Sequence, residues 1–92
     1  MASRIEVEAL RDGEFRVRVI DGDSESSHQV TLNAEHYNRL TRGKIEPREL
    51  VKRSFQFLLE RESKESILVQ FDLQAIARYF PEYEHEIKRR LL

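Results

Sequence analysis

The chain has 92 residues, 39% of them apolar and 36% charged, with sixteen basic and seventeen acidic side chains and a net charge of −1. That length bounds a single α+β domain over residues 1–92, near the lower limit at which a core is buried without help, and the even charge supplies no global attraction to nucleic acid or anionic lipid. Cysteine is absent, which removes disulfides, thiol nucleophiles and sulfur-bound metals, and no stretch approaches the ~18–20 apolar residues of a membrane span.

The first residues run into alternating charge with no apolar signal stretch. A domain this small without disulfides fits a reducing compartment, so a cytoplasmic location is expected. Ile5, Val7 and Ala9 alternate with Arg4, Glu6 and Glu8, and Phe15, Val17 and Val19 alternate with Arg16 and Arg18. Both runs have the period of two of a half-buried strand. A two-residue turn at Asp12-Gly13 would set Val7 opposite Arg18 and mix the faces. A three-residue loop, Arg11-Asp12-Gly13, puts Val7 opposite Val17, Ile5 opposite Val19 and Ala9 opposite Phe15, with Glu6–Arg18 and Glu8–Arg16 on the other face. Gly13 then falls at the left-handed position of such loops.

Residues 21–27 read as a polar loop. His28, Val30 and Leu32 alternate with Gln29 and Thr31, giving a third strand. The expected sheet is a three-stranded antiparallel meander over about 4–10, 14–20 and 28–32. Gln29 and Thr31 are the outward residues of its last strand. That strand is expected to be an open edge, and a place where a second copy can add to make a homodimer.

Three to five short helices are predicted to follow. Asn33 is an N-cap type, with Ala34, Tyr37 and Leu40 as a short apolar stripe and Gly43 as the stop. Pro47 sits where a first helical residue should, and the helical pattern runs to about Arg61. At 100° per residue, Leu50, Val51, Phe55, Phe57, Leu58 and Leu59 span roughly 200° of arc, which predicts a central helix covered on two sides. Ile67, Leu68 and Phe71 read as a short helical or irregular segment. Asp72 can cap a helix bearing Leu73, Ile76, Ala77 and Phe80, which Pro81 ends. Tyr83, Ile87 and Leu91 form the last stripe, with Glu84–Lys88 and Glu86–Arg90 as predicted pairs.

Asp21-Gly22-Asp23-Ser24-Glu25 opens like a calcium loop, but Ser26 and Leu32 stand where such a loop needs glycine and a bidentate acid. His28, His36 and His85 are not spaced as metal ligands, and no nucleophile or phosphate-loop motif occurs. The residues therefore predict no metal, no cofactor and no catalysis. Beside the Pro81 corner, Tyr79 falls about 110° from the centre of the Leu73–Phe80 stripe. Arg78, Tyr79 and Tyr83 are accordingly the predicted contacts of a protein partner, because aromatic and arginine side chains at a rigid corner anchor interfaces.

Residues 29–62, with V-T-L-N-A-E followed by P-R-E-L-V-K-R-S-F-Q-F-L-L-E-R, resemble the ribbon–helix–helix DNA-binding family. That resemblance implies a dimer whose paired strands present Gln29, Thr31 and Asn33 to DNA, with Arg48 beside a phosphate. The chain departs from the pattern in the hairpin that precedes the strand and in the lack of arginine or lysine on its outward face. Over most of its length, through V-T-L-N-A-E-H-Y-N-R-L-T-R-G-K-I-E-P-R-E-L-V and F-D-L-Q-A-I-A-R-Y-F-P-E-Y-E, the chain also resembles a group of small bacterial proteins with no assigned function. This implies a bacterial cytoplasmic protein. The leading expectation is a non-catalytic adaptor or accessory subunit with an unidentified protein partner. A DNA-binding regulator is the second.

Overall fold

Three consecutive strands open the chain, as the alternation requires. The computed structural model describes residues 3–91. β1 (Arg4–Arg11), β2 (Glu14–Asp21) and β3 (Ser24–Thr31) form an antiparallel meander. Val7 faces Val17, Ile5 faces Val19, Ala9 faces Phe15, Glu6 faces Arg18 and Glu8 faces Arg16, the register that parity predicts. Gly13 lies at φ +75, and Leu32 N donates to its carbonyl at 2.8 Å. The pairing shifts between Ala9 and Arg11, so that Arg11 reaches Glu14 and the loop is tighter than the three residues predicted. β3 begins four residues earlier than expected. The supposed loop at 21–27 is a turn through Gly22 and Asp23, closed by the Asp21–Ser24 pair, with Gly22 at φ +64. Glycine in the first central position of a two-residue turn matches the twist of the strands it joins.

The open-edge expectation for β3 is corrected. β4 (Gln70–Asp72) lies parallel to it, pairing Gln29–Gln70, Val30–Phe71 and Thr31–Asp72, and the sheet order is β1-β2-β3-β4. Parallel neighbours need a long crossover, which α1 (Ala34–Thr41) and α2 (Pro47–Leu59) supply. A three-residue strand is too short to show a period, so it was not distinguishable from an irregular segment.

Asn33 caps α1, its Oδ1 accepting from Glu35 N at 2.7 Å and His36 N at 3.3 Å. α1 is rotated from its predicted stripe: it buries His36, Leu40 and Thr41, while Ala34 is exposed. The helix ends before the predicted Gly43 stop, because Arg42 already adopts φ 54. Pro47 opens α2, which ends at Leu59 rather than Arg61. Its two-sided burial is as the wide arc predicts. Phe55 faces the sheet, 5.4 Å from the His28 ring and 5.9 Å from Phe71. Phe57 faces the C-terminal helices, 5.3 Å from Tyr83, with the Arg61 guanidinium 3.7 Å above its ring. Both phenylalanines are wholly buried, each a stabilisation of about 1.5–3 kcal/mol.

A 3₁₀ turn (Lys64–Ser66) precedes β4, and another (Leu73–Ala75), capped by Asp72, leads into α3 (Ile76–Tyr79). α4 (Tyr83–Arg90) closes the chain against α1 and α2. Glu86 sits 4.0 Å from Arg90, as its spacing predicts, and closer to Arg89 at 2.9 Å. Glu84 turns away from Lys88 to Arg39 of α1, at 2.7 Å. The core therefore lies between one sheet face and the helices. The other sheet face is polar, with Arg18 bridging Glu6 at 2.9 Å and Glu25 at 2.8 Å across three strands.

Candidate functional site

The helix-side end of the sheet at β4 is where apolar surface remains uncovered. Among the described residues the exposed large apolar side chains are Leu68, Val69 and Tyr79, at 48%, 72% and 67% exposure. They do not scatter. Leu68 and Tyr79 line one groove of about 300 Å³, and Val69 stands between Leu68 and β4. Leu58 of α2, Ile67 and Ile76 are the buried residues of the lining. Phe71 and Phe80 are its partly buried aromatics, and Glu62 and Ser66 add polar groups.

Local chemistry holds this groove in shape. His28, buried on β3, accounts for both its ring nitrogens: Nδ1 lies 2.7 Å from the Leu68 carbonyl and Nε2 2.8 Å from Ser26 Oγ. A carbonyl only accepts, so the proton is on Nδ1 and the Ser26 hydroxyl donates to Nε2. Gln29 N donates to the Val69 carbonyl at 2.7 Å, and Thr31 Oγ1 donates to Asp72 Oδ2 at 2.7 Å. Asp72 Oδ1 also accepts from Gln74 N at 2.9 Å, so one carboxylate fixes both β4 and the turn after it. The segment 68–72 is thus fastened to β3 along one side and left open along the other.

Of the predicted partner contacts, Tyr79 is in the groove lining, and Arg78 is exposed beside it. Tyr83 is a correction: it is wholly buried against Phe57, and its hydroxyl lies 2.7 Å from Ser54 Oγ. Ser54 uses its own proton on the Leu50 carbonyl at 2.8 Å, so Tyr83 is the donor. Burial pushes the Tyr83 hydroxyl pKa well up. Its stripe position at the start of α4 already marked it as core; proximity to the Pro81 corner did not make it surface. Leu68 and Glu62 belong to the groove and carried no functional reading in the sequence. The usable signal was the apolar run Ile67-Leu68-Val69 with Phe71, bounded by Ser66 and Asp72.

The positions implied by the ribbon–helix–helix resemblance are placed differently. Gln29 is exposed and Thr31 is bonded to Asp72, but their strand is flanked by β2 and, over 29–31, by β4. Pairing of that stretch with a second chain's strand, as the resemblance implies, is blocked there. Asn33 spends its side chain on the α1 cap, and Arg48 is exposed at the start of α2, 3.9 Å from Glu46.

The chain matches no family model, no curated protein and no solved structure. The resemblances above therefore rest on the quoted residues alone, and the geometry has to carry the functional reading.

Elsewhere the titratable groups serve packing. His36 is buried in α1, and among the described residues neither ring nitrogen has a hydrogen-bond partner. Its Nε2 is 3.7 Å from Glu84. Burial, and then the Arg39 charge, lower its pKa from 6.5, against the opposing pull of Glu84 and Asp72. Among the described residues no three histidine, aspartate or glutamate side chains gather as metal ligands. Apart from Glu62 and Tyr79 the groove lining offers no titratable side chain. The lining is mainly apolar, with Glu62 as its one charged side chain.

Proposed function

We propose that this chain is a non-catalytic interaction module that receives an apolar segment of a protein partner in the groove between β4, α2 and α3. The observation that carries this reading is that exposed Leu68 and Tyr79 line one concavity, with exposed Val69 next to Leu68 in the chain. Large apolar side chains grouped at a concave place mark interaction surfaces, whereas scattered ones do not. The groove's volume is at the low end for ligand pockets, which suits side chains of a partner better than a bulky cofactor. Arg78, exposed beside Tyr79, adds the second residue type enriched at interface anchors. In this reading the chain is an adaptor or accessory subunit of the bacterial cytoplasm.

The test is Tyr79→Ala. With its side chain 67% exposed, truncation should change stability by no more than about 0.5 kcal/mol. Affinity capture with the full chain should lose a specific protein that the wild type retains. A variant that melts early, or that retains every wild-type partner, contradicts the reading.

A further inference from the structure

Resting on that reading, we infer that the partner segment binds as an extended strand added to the open edge of β4, with an apolar side chain in the groove and a basic side chain at Glu62. Three observations lead there. First, β4 is the end of the sheet, with no strand beyond it among the described residues. The Val69 carbonyl points to β3, where Gln29 N donates to it. Backbone groups alternate sides along a strand, so the N–H and C=O of Gln70 turn to the open side. An incoming strand supplies partners for both, the physics of strand addition.

Second, the groove lies where that strand would need it. Phe71 faces Val30, which is wholly buried on the helix-side face, so Phe71 is on that face too. Alternate side chains of an added strand project onto the same face, beside Phe71 and toward Tyr79. A helix laid in the groove would leave the Gln70 groups without partners. Third, Glu62 is the charged residue of the lining, and among the described residues it has no ion pair, although most glutamates nearby are engaged. A carboxylate beside an apolar groove is complementary to a lysine or arginine on the ligand. A second copy of the chain fits less well. Two-fold pairing over a strand of three residues buries far less than the ~1,200–2,000 Å² of a stable interface.

The experiment pans a display library of random dodecapeptides against the full chain. Enriched sequences should carry aromatic or branched apolar residues at i and i+2, with a lysine or arginine close by. Glu62→Lys should shift the enrichment to acidic residues. Binding should fall by about ten-fold or more in Tyr79→Ala and in Gln70→Pro, which removes only the outward N–H. Should Gln70→Pro unfold the protein, N-methylation of alternate amides in a selected peptide makes the same test from the ligand side. Peptides that depend on Tyr79 but show i, i+3, i+4 spacing and tolerate N-methylation overturn strand addition and leave the groove reading standing. If no sequence dependent on Tyr79 is enriched, both fall. A concentration-dependent dimer of the chain alone, dissociated by Tyr79→Ala, makes a second copy the occupant and overturns the inference.

Discussion

The two edges of the sheet are built in opposite ways. β1 is eight residues long and carries Arg4, Glu6, Glu8 and Arg11. Glu6 and Glu8 are held by Arg18 and Arg16 of β2, and α2 packs against its inner side, where Ile5 and Val7 are partly buried. β4 (Gln70–Asp72) is three residues long, and the two residues leading into it, Leu68 and Val69, are large, apolar and exposed. Natural sheets discourage unwanted pairing with charge on their edges. This chain does so along β1, whereas the one charge of β4, Asp72, is engaged by Thr31 of β3 and the Gln74 N–H. Under the proposed function, this edge and the groove beside it are covered by the partner.

The contrast can be broken most severely at His28. His28→Ala removes a buried ring packed at a tilt against Phe55 and leaves the Leu68 carbonyl without its donor. It should cost about 2–4 kcal/mol in denaturant unfolding, and hydrogen exchange should quicken at 68–72 more than at 5–9. Gly13→Ala strikes the β1 end instead. Gly13 lies at φ +75, and a Cβ there would stand 3.1 Å from the Leu32 carbonyl. A loss of about 1 kcal/mol or more is expected, with peptide binding at β4 unaltered.

His36 lies in α1, outside both edges, and sets the pH response. Because its folded pKa is lowered from 6.5, the unfolded chain takes up this proton first as pH falls. Its stabilisation is therefore full above about pH 6.5 and is lost on acidification. The melting temperature should fall from pH 7 to pH 5, a range above that of the ion-paired carboxylates, and His36→Leu should flatten the slope. The smallest stability effect belongs to Val69→Lys, which gives β4 the guard that β1 already has. With Val69 at 72% exposure, the melting point should stay nearly constant while binding is abolished. Glu8→Lys on β1 should leave binding intact.

The meander was legible because its faces alternate. Shifting β1 by one residue would expose Ile5 and Val7 together, so the Val7–Val17 pairing followed from parity. The two-sided burial of α2 followed equally from the spread of Phe55 and Phe57 around the helix. Position beside an element said less than rotation about it: Tyr83 was read as a partner contact, and it is buried. β4 escaped because its pairing partner is some forty residues away across a crossover (Gln29 with Gln70). A three-residue strand owes its existence to that partner rather than to its own pattern. The groove escaped with it, since Leu58, Phe71 and Tyr79 meet only after the crossover closes. Tyr79 alone was foreseen, from its angle off the core stripe.

Amide exchange in solution, with and without a saturating library-selected peptide, distinguishes β4 from β1 as the strand that receives the partner. With peptide bound, the Gln70 amide should gain strong protection and the resonances of Leu68, Phe71 and Tyr79 should shift, while residues 4–11 do not change. Protection appearing along β1, or a Gln70 amide that exchanges as fast with the peptide as without it, would contradict the account.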